Sequence, residues 1–252
     1  ILERLGRFDG SSNLPCPISV MNRNAACEIY RRLLARYPII DDRRHFIEFH
    51  NPFEALILTI LSAQTTDRAV NAVRDELFSR YPTPETLASA EPEEVEQIIR
   101  SIGFHHMKAR YIVGAAKKIV SEFGGEVPQT MEGLLSLPGV GRKTANIVLS
   151  HAFGINAGIP VDTHVRRVSR RLGLTLRIDP DVIERDLMTL FPQEVWGDIN
   201  YLLIRHGRAV CMARNPKHDE CVVADLCQYY QEMRTVEEEG GMKRGCLHKM
   251  LR

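Results

Sequence analysis

Apolar residues recur along the chain at the three- and four-residue spacing of a buried helix face, and no long run keeps the two-residue alternation of a half-exposed strand. The punctuation between these runs is helical too. The segment NPFEALILTILSAQ opens with Asn51 placed to cap a helix, Pro52 at its first position and Glu54 three residues past the cap. Thr83 with Pro84, and Asp179 with Pro180, repeat the device. Gly103 and the pair Gly124-Gly125 are placed to stop helices. The pattern predicts roughly ten helices joined by short turns, hence an all-α fold. Pro160 interrupts it between SHAFGINAG and DTHVRRVSRRLG, which marks a boundary between two helical lobes. Both ends of the chain lack the period and read as flexible extensions.

Composition narrows the class. The longest apolar run, ALILTILSA, is far too short to cross a bilayer, so no membrane partner is expected. The amino end, ILERLGRFDGSS, lacks the basic, apolar and small-residue succession of a secretory signal. Intracellular residence is the default, in cytoplasm or nucleoid for a prokaryotic chain. Lys and Arg number 33 against 32 Asp and Glu, so net charge announces no partner. The charges are grouped, however. Arg166, Arg167, Arg170 and Arg171 fall together, as do Arg205, His206, Arg208, Arg214 and Lys217, while acids gather in EPEEVEQ and VEEEG. Such grouping fits either a basic face turned to phosphates or solvated helix faces. Three of the six cysteines fall within residues 211–227, which suits a metal site better than a disulfide framework. Cys16, Cys27 and Cys246 are scattered and read as structural or free thiols.

The most informative stretch is LPGVGRKTANIVL. A short helix leads into Pro138-Gly139-Val140-Gly141, and a second helix begins near Arg142. The two glycines permit a tight turn and close approach of the backbone to a bound group. The amides of the turn and of the helix start can then cradle a phosphate, which is how a helix-hairpin-helix grips DNA without reading sequence. An ordinary interhelical turn is the alternative. Lys143 follows in the first helical turn, where the helix dipole, partial burial and neighbouring Arg142 weaken an ammonium's hold on its proton. It reads as a nucleophilic amine, a phosphate contact or an exposed lysine. In PVDTHVRRV, Asp162 stands where a helix begins, as a cap or as a carboxylate facing Lys143; one oxygen can cap while the other serves chemistry.

Taken in order, LSAQTTD, LPGVGRKTANIVL, PVDTHVRRV and the cysteine-rich tail resemble the endonuclease III family of DNA glycosylases, of the helix-hairpin-helix superfamily, over about residues 22–230. The resemblance implies a six-helix barrel containing the helix-hairpin-helix (residues 50–158). It also implies a second domain, built from an amino-terminal helix (22–49) and the carboxyl-terminal helices (159–230), that carries an iron–sulfur cluster. Residues 1–21 and 231–252 are extensions outside it. The implied partner is double-stranded DNA with a damaged base or abasic site, bound by a monomer between the lobes with the base flipped out of the stack.

By the same resemblance Lys143 attacks the sugar's anomeric carbon, displaces the base and forms a Schiff base that supports β-elimination, with Asp162 activating it. Gly139, Val140, Gly141 and Arg142 hold the DNA backbone. Gln64 fills the gap left by the flipped nucleotide and Phe104 is an apolar wedge; their plain alternatives are a polar helix-end residue and a core aromatic. His105 and His106 are placed to touch phosphates, and Ser62 and Asp67 to line the pocket or cap a helix. Oxidised pyrimidines such as thymine glycol are the implied lesions, with apolar Leu135 standing where some members carry a glutamate near the base. The rival readings are a monofunctional mismatch glycosylase and a non-catalytic DNA-binding or redox module. The lysine at 143 separates this chain from the first, and an intact Lys143–Asp162 pair from the second.

The family's loop spaces four cysteines as C-x6-C-x2-C-x5-C. Here Cys211, Cys221 and Cys227 take the first, third and fourth places, and His218 takes the second. Three readings stand. His218 completes a 4Fe-4S cluster with three thiolates, raising its potential as imidazole does in Rieske centres. Or His218 is a bystander, leaving a labile cluster or one that recruits Cys246. Or the four residues bind structural zinc. His206 reads as a phosphate contact or a supporting partner, and the loop would hold Arg205, Arg208, Arg214 and Lys217 against phosphates.

Overall fold

The computed structural model describes residues 21–40 and 46–238. Cys16, Cys246 and most of both expected extensions lie outside these residues. Every regular element among them is helical, as the apolar spacing predicts. In chain order the helices are α1 (Arg23–Arg36), α2 (Pro52–Leu61), α3 (Asp67–Arg80), α4 (Pro84–Ala88), α5 (Pro92–Ile98) and α6 (His105–Phe123). They continue with α7 (Met131–Leu135), α8 (Arg142–Phe153), α9 (Thr163–Leu172), α10 (Pro180–Leu190), α11 (Trp196–Ala209) and α12 (Gln228–Glu238). Contacts divide the chain into two compact units, Arg44–Pro160 and the combination of Ile1–Arg43 with Val161–Arg252.

The Arg44–Pro160 unit is built around α2. Its residues Phe53 to Leu61 are all buried, so the run ALILTILSA is, up to Leu61, a core helix packed on every side. No helix of the described residues is long and apolar enough to cross a membrane. The one hydroxyl in that helix's middle is satisfied locally, Thr59 Oγ1 donating to the Ala55 carbonyl at 2.6 Å. The capping signals act as read. Asn51 Oδ1 accepts from Glu54 N at 2.9 Å, and Glu54 Oε2 accepts from His50 N at 2.8 Å. Thr83 and Asp179 cap α4 and α10 in the same way.

In the other unit, α9 buries Val165, Val168 and Leu172, and packs on α11 and α12. Gly207 of α11 lets α9 approach. A Cβ there would lie 3.1 Å from Val168 Cγ2 and from Arg167 Nη2. The amino-terminal helix α1 packs on α11 and α10, with the buried Tyr30 hydroxyl donating to Asp198 Oδ2 at 2.9 Å.

Candidate active site and cluster loop

The hairpin of LPGVGRKTANIVL joins α7 to α8, and its two glycines do different work. Gly139 has φ 75, and a Cβ on it would sit 2.9 Å from the Tyr111 ring, so both conformation and space demand glycine. Gly141 is extended (φ −99), caps α8 and has nothing within 4 Å of where a Cβ would stand. Its amide and that of Gly139 make no hydrogen bond among the described residues, and the surroundings of Gly141 are open to an approaching phosphate. Val140 differs from expectation. Its side chain is buried in the core and its amide donates to the Leu137 carbonyl at 3.2 Å, so it anchors the hairpin from within.

Lys143 occupies the first turn of α8 and is exposed. The partial burial expected for it is absent in the DNA-free protein, because α8 turns only Ala145, Asn146, Val148 and Leu149 inward. Arg142 beside it is also exposed. Asp162, in the other unit, is half-buried and caps α9, its Oδ1 accepting from Val165 N at 2.7 Å. Its Oδ2 takes no hydrogen bond among the described residues.

Gln64 and Phe104 share an unusual backbone. Both are non-glycine residues in the left-handed region, at φ 54 and 59, and both are exposed, Phe104 by 59%. The core-aromatic alternative for Phe104 is thereby excluded. Left-handed backbone costs a non-glycine residue roughly 1–2 kcal/mol and persists where neighbours enforce it. A neighbour that sequence reading missed, Lys108, braces the loop that carries Gln64. Its Nζ is buried and donates to the Leu61 carbonyl at 2.8 Å and to Thr65 Oγ1 at 2.6 Å. Its amide donates to the Phe104 carbonyl at 3.0 Å. Burial lowers the pKa of this ammonium. Ser62 is a helix-end residue whose hydroxyl donates to the Thr59 carbonyl, and Thr66 rather than Asp67 caps α3. Leu135 ends α7 and is 43% exposed.

The cysteine loop follows α11. Cys211, His218, Cys221 and Cys227 line one cavity, together with Leu172, His206 and Tyr229. His218 stacks on the Tyr230 ring at 4.6 Å, with its Nε2 shielded from solvent. Burial pushes the Cys227 thiol up to about 12 and raises that of Cys221. Thiols so placed ionise when a metal takes the proton's place, and the donor set therefore fits a metal group.

His206 is buried rather than turned to phosphates. Its Nε2 lies 3.6 Å from Cys221 Sγ, Tyr37 Oη lies 3.3 Å from its Nδ1, and burial lowers its pKa to about 4. The arginine run also splits. Arg171 is 7% exposed, donating to the carbonyls of Met212 at 2.7 Å and Ala213 at 3.1 Å and to Cys211 Sγ at 3.4 Å. Arg167, half-buried, donates to the Cys211 and Gly207 carbonyls. These two hold the cluster loop. Their four-residue spacing, which puts both on one face of α9, was the available signal. Arg166 stays exposed.

A helix-hairpin-helix with an outward lysine, in a chain that also carries a cysteine loop, defines a class of DNA repair proteins. Residues 57–193 match the model of the HhH-GPD superfamily of base excision DNA repair proteins, and residues 211–227 match the iron–sulfur binding domain of endonuclease III. The endonuclease III of a Synechocystis species is 56% identical over 72% of this chain and 83% of its own length. A solved structure of a trapped endonuclease III–DNA covalent intermediate superposes with TM-score 0.78 at 38% identity, covering 85% of this chain and 99% of that one. A thermostable thymine-DNA glycosylase gives TM-score 0.72 at 27% identity, covering 83% of this chain and 97% of its own. The chain belongs to the endonuclease III family of the HhH-GPD superfamily. It is a base excision repair DNA glycosylase and AP lyase that binds DNA and contains an iron–sulfur binding domain.

Proposed function

We propose that this enzyme removes oxidised pyrimidines such as thymine glycol from duplex DNA, with Lys143 as nucleophile. Lys143 Nζ bonds to C1′ of the damaged nucleotide as the bond from C1′ to the base breaks and the base leaves with a proton. Opening of the sugar ring gives a Schiff base. Loss of a C2′ proton then expels the 3′ phosphate and nicks the strand. The observation that carries the reading is the outward ammonium at the first turn of α8, directly after a hairpin whose Gly141 is open to a phosphate.

Asp162 activates Lys143 and offsets positive charge developing on the sugar, using the oxygen its cap leaves over. Exposed Gln64 and Phe104 enter the duplex where the nucleotide has left. Gly139, Gly141 and Arg142 hold the backbone, with Val140 contributing through the turn it stabilises. Exposed Lys143 enters the reaction when DNA covers it and removes its water.

Cys211, Cys221, Cys227 and His218 would hold a 4Fe-4S cluster, which would cross-link the loop and supply a redox-active centre at raised potential. Arg171 and Arg167 orient the loop around it, and His206 Nε2–H donates to the Cys221 sulfur.

A panel of duplexes bearing thymine glycol, other oxidised pyrimidines, T·G and A·8-oxoguanine mismatches and an abasic site tests this, with base release and nicking read separately. The expected result is coupled release and nicking on oxidised pyrimidines. Release from mismatches without nicking contradicts it.

A further inference from the structure

Among the described residues, one cluster of metal-ligating side chains stands outside the lysine motif and the cysteine loop. Glu96 of α5, with His105 and His106 at the start of α6, brings three ligand atoms within 4.8 Å of one another. Neighbouring residues on a helix ordinarily point apart. Here, directly after the left-handed Phe104, the two imidazole rings lie 4.3 Å apart with 34° between their planes.

Three features mark a built arrangement. His105 Nδ1 lies 3.2 Å from the Ile102 carbonyl oxygen. A bond of that kind fixes an imidazole's tautomer and turns its other nitrogen toward a metal. That nitrogen, Nε2, is 3.8 Å from Glu96 Oε1, a gap that one ion bridges with two bonds of about 2.1 Å. His106 Nδ1 lies 2.6 Å from Glu96 Oε2, so the imidazole and the carboxylate already face each other across the gap a cation would occupy. The Glu96 and His105 side chains are only 19% and 26% exposed, while His106 is 73% exposed. Two ligands are thus held by the protein body, and the third closes the site from the solvent side.

We propose that Glu96, His105 and His106 form a binding site for a divalent first-row transition cation of the zinc type. Two imidazoles and a carboxylate suit Zn²⁺, Ni²⁺ or Cu²⁺, whereas Mg²⁺ and Ca²⁺ take oxygen ligands. Solvent-side positions stay open for water or an anion. The site differs from the cysteine loop in its donors and in the unit that carries it. A bound ion pins the first turn of α6 to α5 directly behind the exposed Phe104 ring.

The test is equilibrium dialysis of the full-length protein, cluster intact, against zinc ion, with zinc and iron counted in the same sample. The wild type takes up zinc that His106→Gln and Glu96→Gln bind at least about tenfold more weakly, with iron unchanged. His106 is exposed, so its replacement leaves the fold in place, and equal melting temperatures of the zinc-free proteins, cluster retained, verify it. Equal binding by wild type and His106→Gln, no zinc uptake, or zinc uptake matched by loss of iron overturns the proposal.

Discussion

Lys108 Nζ donates to Thr65 Oγ1 at 2.6 Å, and through that contact α6 holds the loop in which Gln64 stands left-handed. The same residue's amide donates to the carbonyl of left-handed Phe104. The first turn of α6 thus starts from the exposed Phe104 and braces the loop of the exposed Gln64, the two residues proposed to enter the duplex.

Lys108→Met keeps most of the volume and removes the charge-assisted donor. It leaves the buried Leu61 carbonyl without this partner, and stability falls by about 1–3 kcal/mol. Calorimetry reads that loss. Affinity for a duplex with an abasic-site analogue falls as well, at a temperature where the variant remains folded. An unchanged affinity would show that the Gln64 loop needs no anchoring.

Asp162 separates structure from chemistry by choice of replacement. Asparagine caps a helix about as well as aspartate, so Asp162→Asn melts within about 0.5 kcal/mol of wild type. Its single-turnover base release slows by at least about a hundredfold. Asp162→Ala loses the cap in addition, about 1 kcal/mol of stability. Full activity in the asparagine variant restricts Asp162 to capping.

The two hairpin glycines predict opposite phenotypes. Gly139→Ala forces a Cβ into the Tyr111 ring at positive φ, and the protein loses at least about 1–2 kcal/mol of stability. Gly141→Ala meets nothing and keeps an ordinary φ, so stability changes by less than about 1 kcal/mol while DNA affinity drops at low salt. Thermal melts beside binding isotherms distinguish the two.

Replacement at 218 reads out the cluster. His218→Ala loses iron on purification, whereas His218→Cys retains it and shifts the reduction potential downward, since thiolate restores a negative charge. Iron and sulfide content with protein-film voltammetry checks this. An alanine variant with full iron and wild-type potential removes His218 from the ligand set.

Much of this was legible because it is local. Asn51, Thr83 and Asp179 announce helix starts within four residues of themselves, and LPGVGRKTANIVL carries its turn and its lysine in one stretch. What escaped depends on partners distant in sequence. Lys108 reads as one more surface lysine until Leu61 and Thr65 are brought to it. Arg167 and Arg171 read as part of a basic patch until α9 turns them toward the cysteine loop. Val140 sits between two turn glycines, yet its own side chain completes the core. The spacing of residues 211–227 identified the loop but not the buried His206 that faces Cys221.

The central claim is that Lys143 Nζ bonds to the DNA. Borohydride reduction during reaction with a thymine-glycol duplex, followed by peptide mass analysis, tests it most directly. The account predicts a stable protein–DNA adduct mapped to Lys143 and absent from Lys143→Gln. A Lys143→Gln protein that still nicks the duplex, or an adduct mapped to another lysine, would contradict it.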